Sequence, residues 1–66
     1  MKITYDAKYD VLYIKFAEGT PKVITRHLDD DISLDLDEAG RIAGIEVLSA
    51  SKHVDLGALL PVTVER

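Results

Sequence analysis

The chain has 66 residues, with twelve Asp and Glu against eight Lys and Arg for a formal charge of −4, and it has no cysteine. One domain of this size, residues 1–66, buries only about 60% of its unfolded surface, so a solitary core is marginal and self-association, a dimer first, is the expected support. Without cysteine there is no disulfide and no thiolate metal site, and the scattered bases (Lys2, Lys8, Lys15, Lys22, Arg26, Arg41, Lys52, Arg66) build no phosphate-binding patch.

The first ten residues, "MKITYDAKYD", contain no signal-peptide core, and the apolar runs are too short to span a bilayer. A cytoplasmic protein with no membrane and no nucleic-acid partner is expected. Strand signals then dominate up to about residue 48. In "VLYIKF", Leu12, Ile14 and Phe16 alternate with Val11, Tyr13 and Lys15, the period-two pattern of a strand. With "KITY" before it and Asp6 and Asp10 bracketing the connection, residues 2–16 read as a hairpin. "AEGTP" breaks the pattern through Gly19 and Pro21.

"KVITRHL" sets Val23, Thr25 and His27 on one face and Ile24, Arg26 and Leu28 on the other; charge on that second face suggests an edge strand. In "ISLDLD", Ile32, Leu34 and Leu36 alternate with Ser33, Asp35 and Asp37, as in a half-buried strand. Asp37-Glu38-Ala39-Gly40 has the composition of a type I turn ending in a left-handed glycine. Pairing outward sets Leu36 opposite Ile42, but an uninterrupted ladder would turn Ile45 and Val47 to the polar side. Either a bulge at Ala43-Gly44 restores them to the core, which is favoured, or that strand is buried on both faces. Ser49 or Ser51 could cap a short helix through "KHVDLGALL", where Val54 and Ala58 lie four apart beside Leu56, Leu59 and Leu60. Gly57 weakens that helix, Pro61 ends it, and "VTVER" is a sixth strand or a frayed tail. The expected class is α+β: a small antiparallel sheet of hairpins with one short C-terminal helix on a face.

Six acids (Asp29, Asp30, Asp31, Asp35, Asp37, Glu38) fall within ten residues that contain no base. Calcium needs six to eight oxygens wrapped around it, whereas Ile32, Leu34 and Leu36 hold this segment straight. A weak site on Asp35 and Asp37 is conceivable, but solubility and edge protection are the preferred reading, and no cofactor or metal is expected. His27 and His53 lack the spacing of a zinc pair, and Ser33, Ser49 and Ser51 sit in no nucleophile elbow. His27 near Asp29 could mimic part of a general-base arrangement, but catalysis is not expected. Tyr5 belongs at the core margin. Tyr13 should emerge on the sheet's second face, where it suits a subunit interface as well as plain packing beneath the helix.

"ITYDAKYDVLYIKF" and "DDDISLDLDEAGRIAGIEVLSAS", in that order, resemble the small prokaryotic family catalogued as domain of unknown function 2283. The resemblance covers residues 1 to about 53, its most specific pieces being Tyr5-Asp6, Asp10 to Ile14, and Gly44-Ile45-Glu46. It implies a compact β-rich domain with no catalytic residues to carry over, and an antitoxin-like protein that partners a small toxin. The resulting expectation is a non-enzymatic, self-associating module. Asp29, Asp30, Asp31, Asp35, Asp37 and Tyr13 are its candidate contacts for a basic protein; the alternative is a small-molecule or divalent-metal binder using the same acids.

Overall fold

The computed structural model describes residues 1–58 and the backbone of 59, 64 and 65. Five strands form the antiparallel body: β1 (Lys2–Asp6), β2 (Val11–Lys15), β3 (Ile24–His27), β4 (Ile32–Leu36) and β5 (Ile42–Val47). A helical turn α1 (Ala50–His53) and a 3-10 turn (Leu56–Leu59) follow. The two-residue β6 (Val64–Glu65) lies parallel to β1, so the order across the sheet is β3-β4-β5-β2-β1-β6. That parallel pair departs from the all-antiparallel expectation. With only one turn of α-helix, the described chain is mostly β, and the α+β expectation holds only coarsely. Leu60, Pro61, Val62, Thr63 and Arg66, part of the expected helix end and tail, lie outside the described residues.

The hairpins follow from their turns. Asp6 Oδ1 accepts from the N–H groups of Lys8 (2.9 Å) and Tyr9 (3.3 Å), and the turn closes with Asp10 at φ 57°. Asp tolerates that left-handed conformation better than most residues. Between β4 and β5, Gly40 takes φ 82° and donates to the Asp37 carbonyl at 3.0 Å, while Asp37 Oδ1 accepts from Ala39 and Arg41. The expected turn is present. So is the bulge: Leu36 faces Ile42, but Asp35 faces Gly44, leaving Ala43 as the extra residue. One added residue shifts parity, and Ile45 and Val47 return to face Leu34 and Ile32.

The register lays the apolar face out in three rows. Tyr5, Leu12, Val47, Ile32 and Leu28 form the first, and Ile3, Ile14, Ile45 and Leu34 form the second, which ends at Arg26. Phe16, Ile42, Leu36 and Ile24 form the third. Ala50, Val54 and Leu56 pack on the first two rows over β1, β2 and β5, where Leu12 is only 1% exposed.

The expected helix through "KHVDLGALL" is shorter than its sequence suggests. Val54 donates to the Ala50 carbonyl at 2.9 Å and then turns extended (φ −134°, ψ 138°). Asp55 starts a new turn by accepting from Gly57 N–H at 3.1 Å. Neither serine oxygen caps the helix: Ser49 is left-handed at φ 51° and makes no side-chain cap bond. The cap comes from the first hairpin. The Asp10 carboxylate accepts from Ser51 N–H (3.1 Å) and Ser51 Oγ (2.6 Å), and the Asp10 carbonyl accepts from Ala50 N–H at 2.9 Å.

Candidate functional site

Two surfaces are left without a covering element among the described residues: the polar face of the sheet, and the apolar third row with the β3 end of the first. On the polar face, β2 presents Tyr13, β4 presents Ser33 and Asp35, and β3 presents Thr25 and His27. The Tyr13 hydroxyl donates to Asp35 Oδ2 at 2.8 Å and Thr25 Oγ1 donates to Asp35 Oδ1 at 2.7 Å. His27 Nδ1 and Ser33 Oγ share a hydrogen bond at 2.7 Å.

Tyr13 and Asp35 sit on strands separated by β5, so the phenol must cross it. It does so over Gly44: a Cβ built there would overlap the Tyr13 hydroxyl and lie 2.6 Å from Cζ. The bulge that restores the core parity also sets this glycine opposite Lys15 and Asp35. Burial raises the Tyr13 pKa, and the neighbouring Asp35 adds to it, so that it is pushed up to about 12. The phenol is a hydrogen-bond donor at neutral pH and no nucleophile. Tyr13 is also on the face opposite α1, which overturns packing beneath the helix.

The acids of residues 29–38 are engaged mainly in local structure. Asp29 Oδ1 accepts from Asp31 N–H (2.8 Å) and Ile32 N–H (2.9 Å). Asp31 Oδ2 lies 2.8 Å from His53 Nε2, tying the helix to the β3–β4 turn. The Asp37 carboxyl is held below the usual range, chiefly by the Arg41 N–H, with the Arg41 guanidinium 3.2 Å away. Asp10 is lowered in the same way by the Ser51 hydroxyl and then the Tyr5 hydroxyl, which donates at 2.8 Å. Asp30 and Glu38 are exposed. No three of His, Asp and Glu converge to hold an ion among the described residues. Asp35 and Asp37 therefore serve two separate networks, and His27 bonds Ser33 rather than Asp29.

The apolar surface was hidden in the sequence. Ile24 is 69% exposed, Leu28 62%, Ile42 48% and Phe16 43%. Phe16 and Ile42 also line a shallow groove of about 480 Å³ with Pro21, Asp37 and Arg41. Each of these side chains has the parity of the core, so alternation alone marks them as buried. The missing signal is the reach of α1: one turn, docked by Asp10 over the opposite half of the sheet, stops short of β3.

Comparison with known proteins matches residues 2–51 to DUF2283, described as a protein of unknown function. The chain belongs to this family. The match ends within α1, so it takes in the five antiparallel strands, the Tyr13–Gly44–Asp35 crossing and the third apolar row. An uncharacterized protein of Methanocaldococcus jannaschii is 46% identical over 52 residues, covering 79% of this chain and 43% of that relative. The chain thus spans less than half the length of this archaeal relative. No solved structure matches significantly. No helix among the described residues is long and apolar enough to cross a membrane.

Proposed function

We propose that this chain is a cytoplasmic, non-enzymatic interaction module that associates with itself and docks a partner protein. The supporting observation is the apolar row from Phe16 through Ile42 and Leu36 to Ile24, which no element covers among the described residues; exposed Leu28 lies on the same face at the far end of β3, beyond Arg26. Ile24, Ile42 and Phe16, exposed by roughly half at about 200 Å² each, leave on the order of 300 Å² of contiguous apolar surface. A standard interface buries about 800 Å² per partner, a little over half of it apolar, so this row supplies the larger part of the apolar share of one such contact.

The partner reading rests on the family resemblance and on charge. Glu38 and Asp37 border this row beside Ile24 and Leu36, and Asp29, Asp30 and Asp31 lie in the β3–β4 turn at the Leu28 end of the same edge, which favours a basic protein in an antitoxin-like pairing. The engagement of those carboxylates in turns and pairs gives the metal-binding alternative no comparable support. Light scattering over a dilution series tests self-association: a dimer mass that falls on dilution is expected, and a monomer at every concentration refutes it. For the partner, salt-dependent binding to a basic protein recovered from the native host is expected, weakened by reversing Asp30 and Glu38.

A further inference from the structure

We infer that two copies join through the open edge of β3, antiparallel and centred on Arg26, so that the sheet runs unbroken from one copy into the next. The inference rests on the self-association reading and specifies its geometry. The sheet has two edges among the described residues. That of β1 is occupied by β6, whereas β3 has a neighbour only on its β4 side and all four of its residues are exposed.

The backbone of β3 is disposed to accept a strand. Leu28 N–H donates to the Ile32 carbonyl at 2.7 Å, and bonded and unbonded pairs alternate along an antiparallel ladder. Arg26 and Ile24 therefore share the bonds with β4, and Thr25 and His27 turn their N–H and C=O groups outward. Such unpaired groups are a template for another strand.

Side-chain complementarity selects the register. Residues directly opposite in an antiparallel pair share a face. With Arg26 at the two-fold axis, Thr25 and His27 of opposite copies exchange backbone bonds, and Ile24 meets Leu28 of the second copy. These are the two most exposed aliphatic side chains of β3 and its flank. Lys22 comes to the Asp30 end of the second copy, and symmetry repeats each pairing. Centring on Thr25 instead sets Ile24 against Arg26 and Lys22 against Leu28, charge against apolar in each pair on the apolar face. The like-charged Arg26 pair on the axis opposes the chosen register, so Arg26→Thr is expected to tighten it. Both copies turn the same face outward, and the third row of one runs on into the first row of the other. That creates two apolar lines between the two helices, flanking the central Arg26 pair, for the partner protein.

The test uses light scattering and sedimentation on the full chain. Thr25→Pro removes an outward N–H without removing a β3–β4 backbone bond and is expected to give a folded monomer. Thr25→Ala, which loses the hydroxyl bonded to Asp35 and the γ-methyl but keeps the N–H, stays dimeric. Lys22→Asp and Asp30→Lys are each expected to weaken the dimer on the order of tenfold, and the two together restore it. Ile42→Glu, on the third row away from the edge, leaves the dimer intact. A dimer that survives Thr25→Pro and is lost with Ile42→Glu overturns the edge geometry in favour of face-to-face packing, with self-association standing. A wild-type monomer overturns both.

Discussion

Gly44→Ala offers a sharp test of the polar face. Gly44 has an ordinary negative φ, so alanine is allowed by the backbone, and the penalty comes from what its methyl meets. The methyl would take the place of the Tyr13 hydroxyl and lie 2.6 Å from Cζ and 3.2 Å from the Ile14 carbonyl oxygen. The phenol must leave, breaking its bond to the Asp35 carboxylate. A hydrogen bond to a charged group is worth about 1.5–3 kcal/mol, and alanine returns about 0.4–1 kcal/mol by restricting the unfolded chain. With the lost packing of the ring on the strand, the net cost is about 2 kcal/mol, or about 8–16 °C in Tm for a domain of this size. The assay is a double-mutant cycle with Tyr13→Ala, by urea unfolding at one fixed protein concentration because association would add to stability. In the Tyr13→Ala background, Gly44→Ala should be neutral or slightly stabilising. An equal penalty in both backgrounds, within about 0.5 kcal/mol, would refute the crossing.

Leu12→Ala empties the centre of the small core beneath α1 and should cost about 2–5 kcal/mol, leaving little of the cooperative transition in thermal circular dichroism. The Asp10 carboxyl is lowered in the fold, so its stabilisation is present above its unfolded value near pH 4 and disappears as pH falls through the folded value. Denaturation between pH 7 and pH 2 should show an acid limb that Asp10→Asn makes shallower, with lower Tm at neutral pH. Tyr13 shifts the other way: its folded pKa of about 12 exceeds the unfolded value near 10, so stability is lost as pH rises from 10 towards 12. Ultraviolet titration should show one phenol ionising near pH 12, absent in Tyr13→Phe and moved down, though not to its ordinary value, by Asp35→Asn. Burial, the larger cause, survives that substitution.

Much of the fold is legible in the sequence because strand parity and turn geometry are short-range properties. The alternation of Leu12, Ile14 and Phe16 with Val11, Tyr13 and Lys15 assigns both faces of β2. Gly40 fixes the β4–β5 turn, and the conflict of Ile45 and Val47 with that register favours a bulge at Ala43-Gly44 over a strand buried on both faces; the structure has the bulge, with Ala43 as the extra residue. The charge of Arg26 suits an edge, and β3 is one.

The tertiary structure decided what spans long separations. Asp10 caps α1 from 41 residues away, and Tyr13 reaches Asp35 across 22, over a glycine that ladder register alone brings beneath the ring. The same distinction governs the apolar rows. Side-chain parity states which residues face the core side, but coverage depends on where a one-turn helix comes to rest. Docked over β1, β2 and β5 by a carboxylate from the first hairpin, that helix leaves Ile24, Ile42 and Phe16 in water. Local rules fix the direction in which each side chain points, and only packing across the sheet determines what, if anything, it meets there.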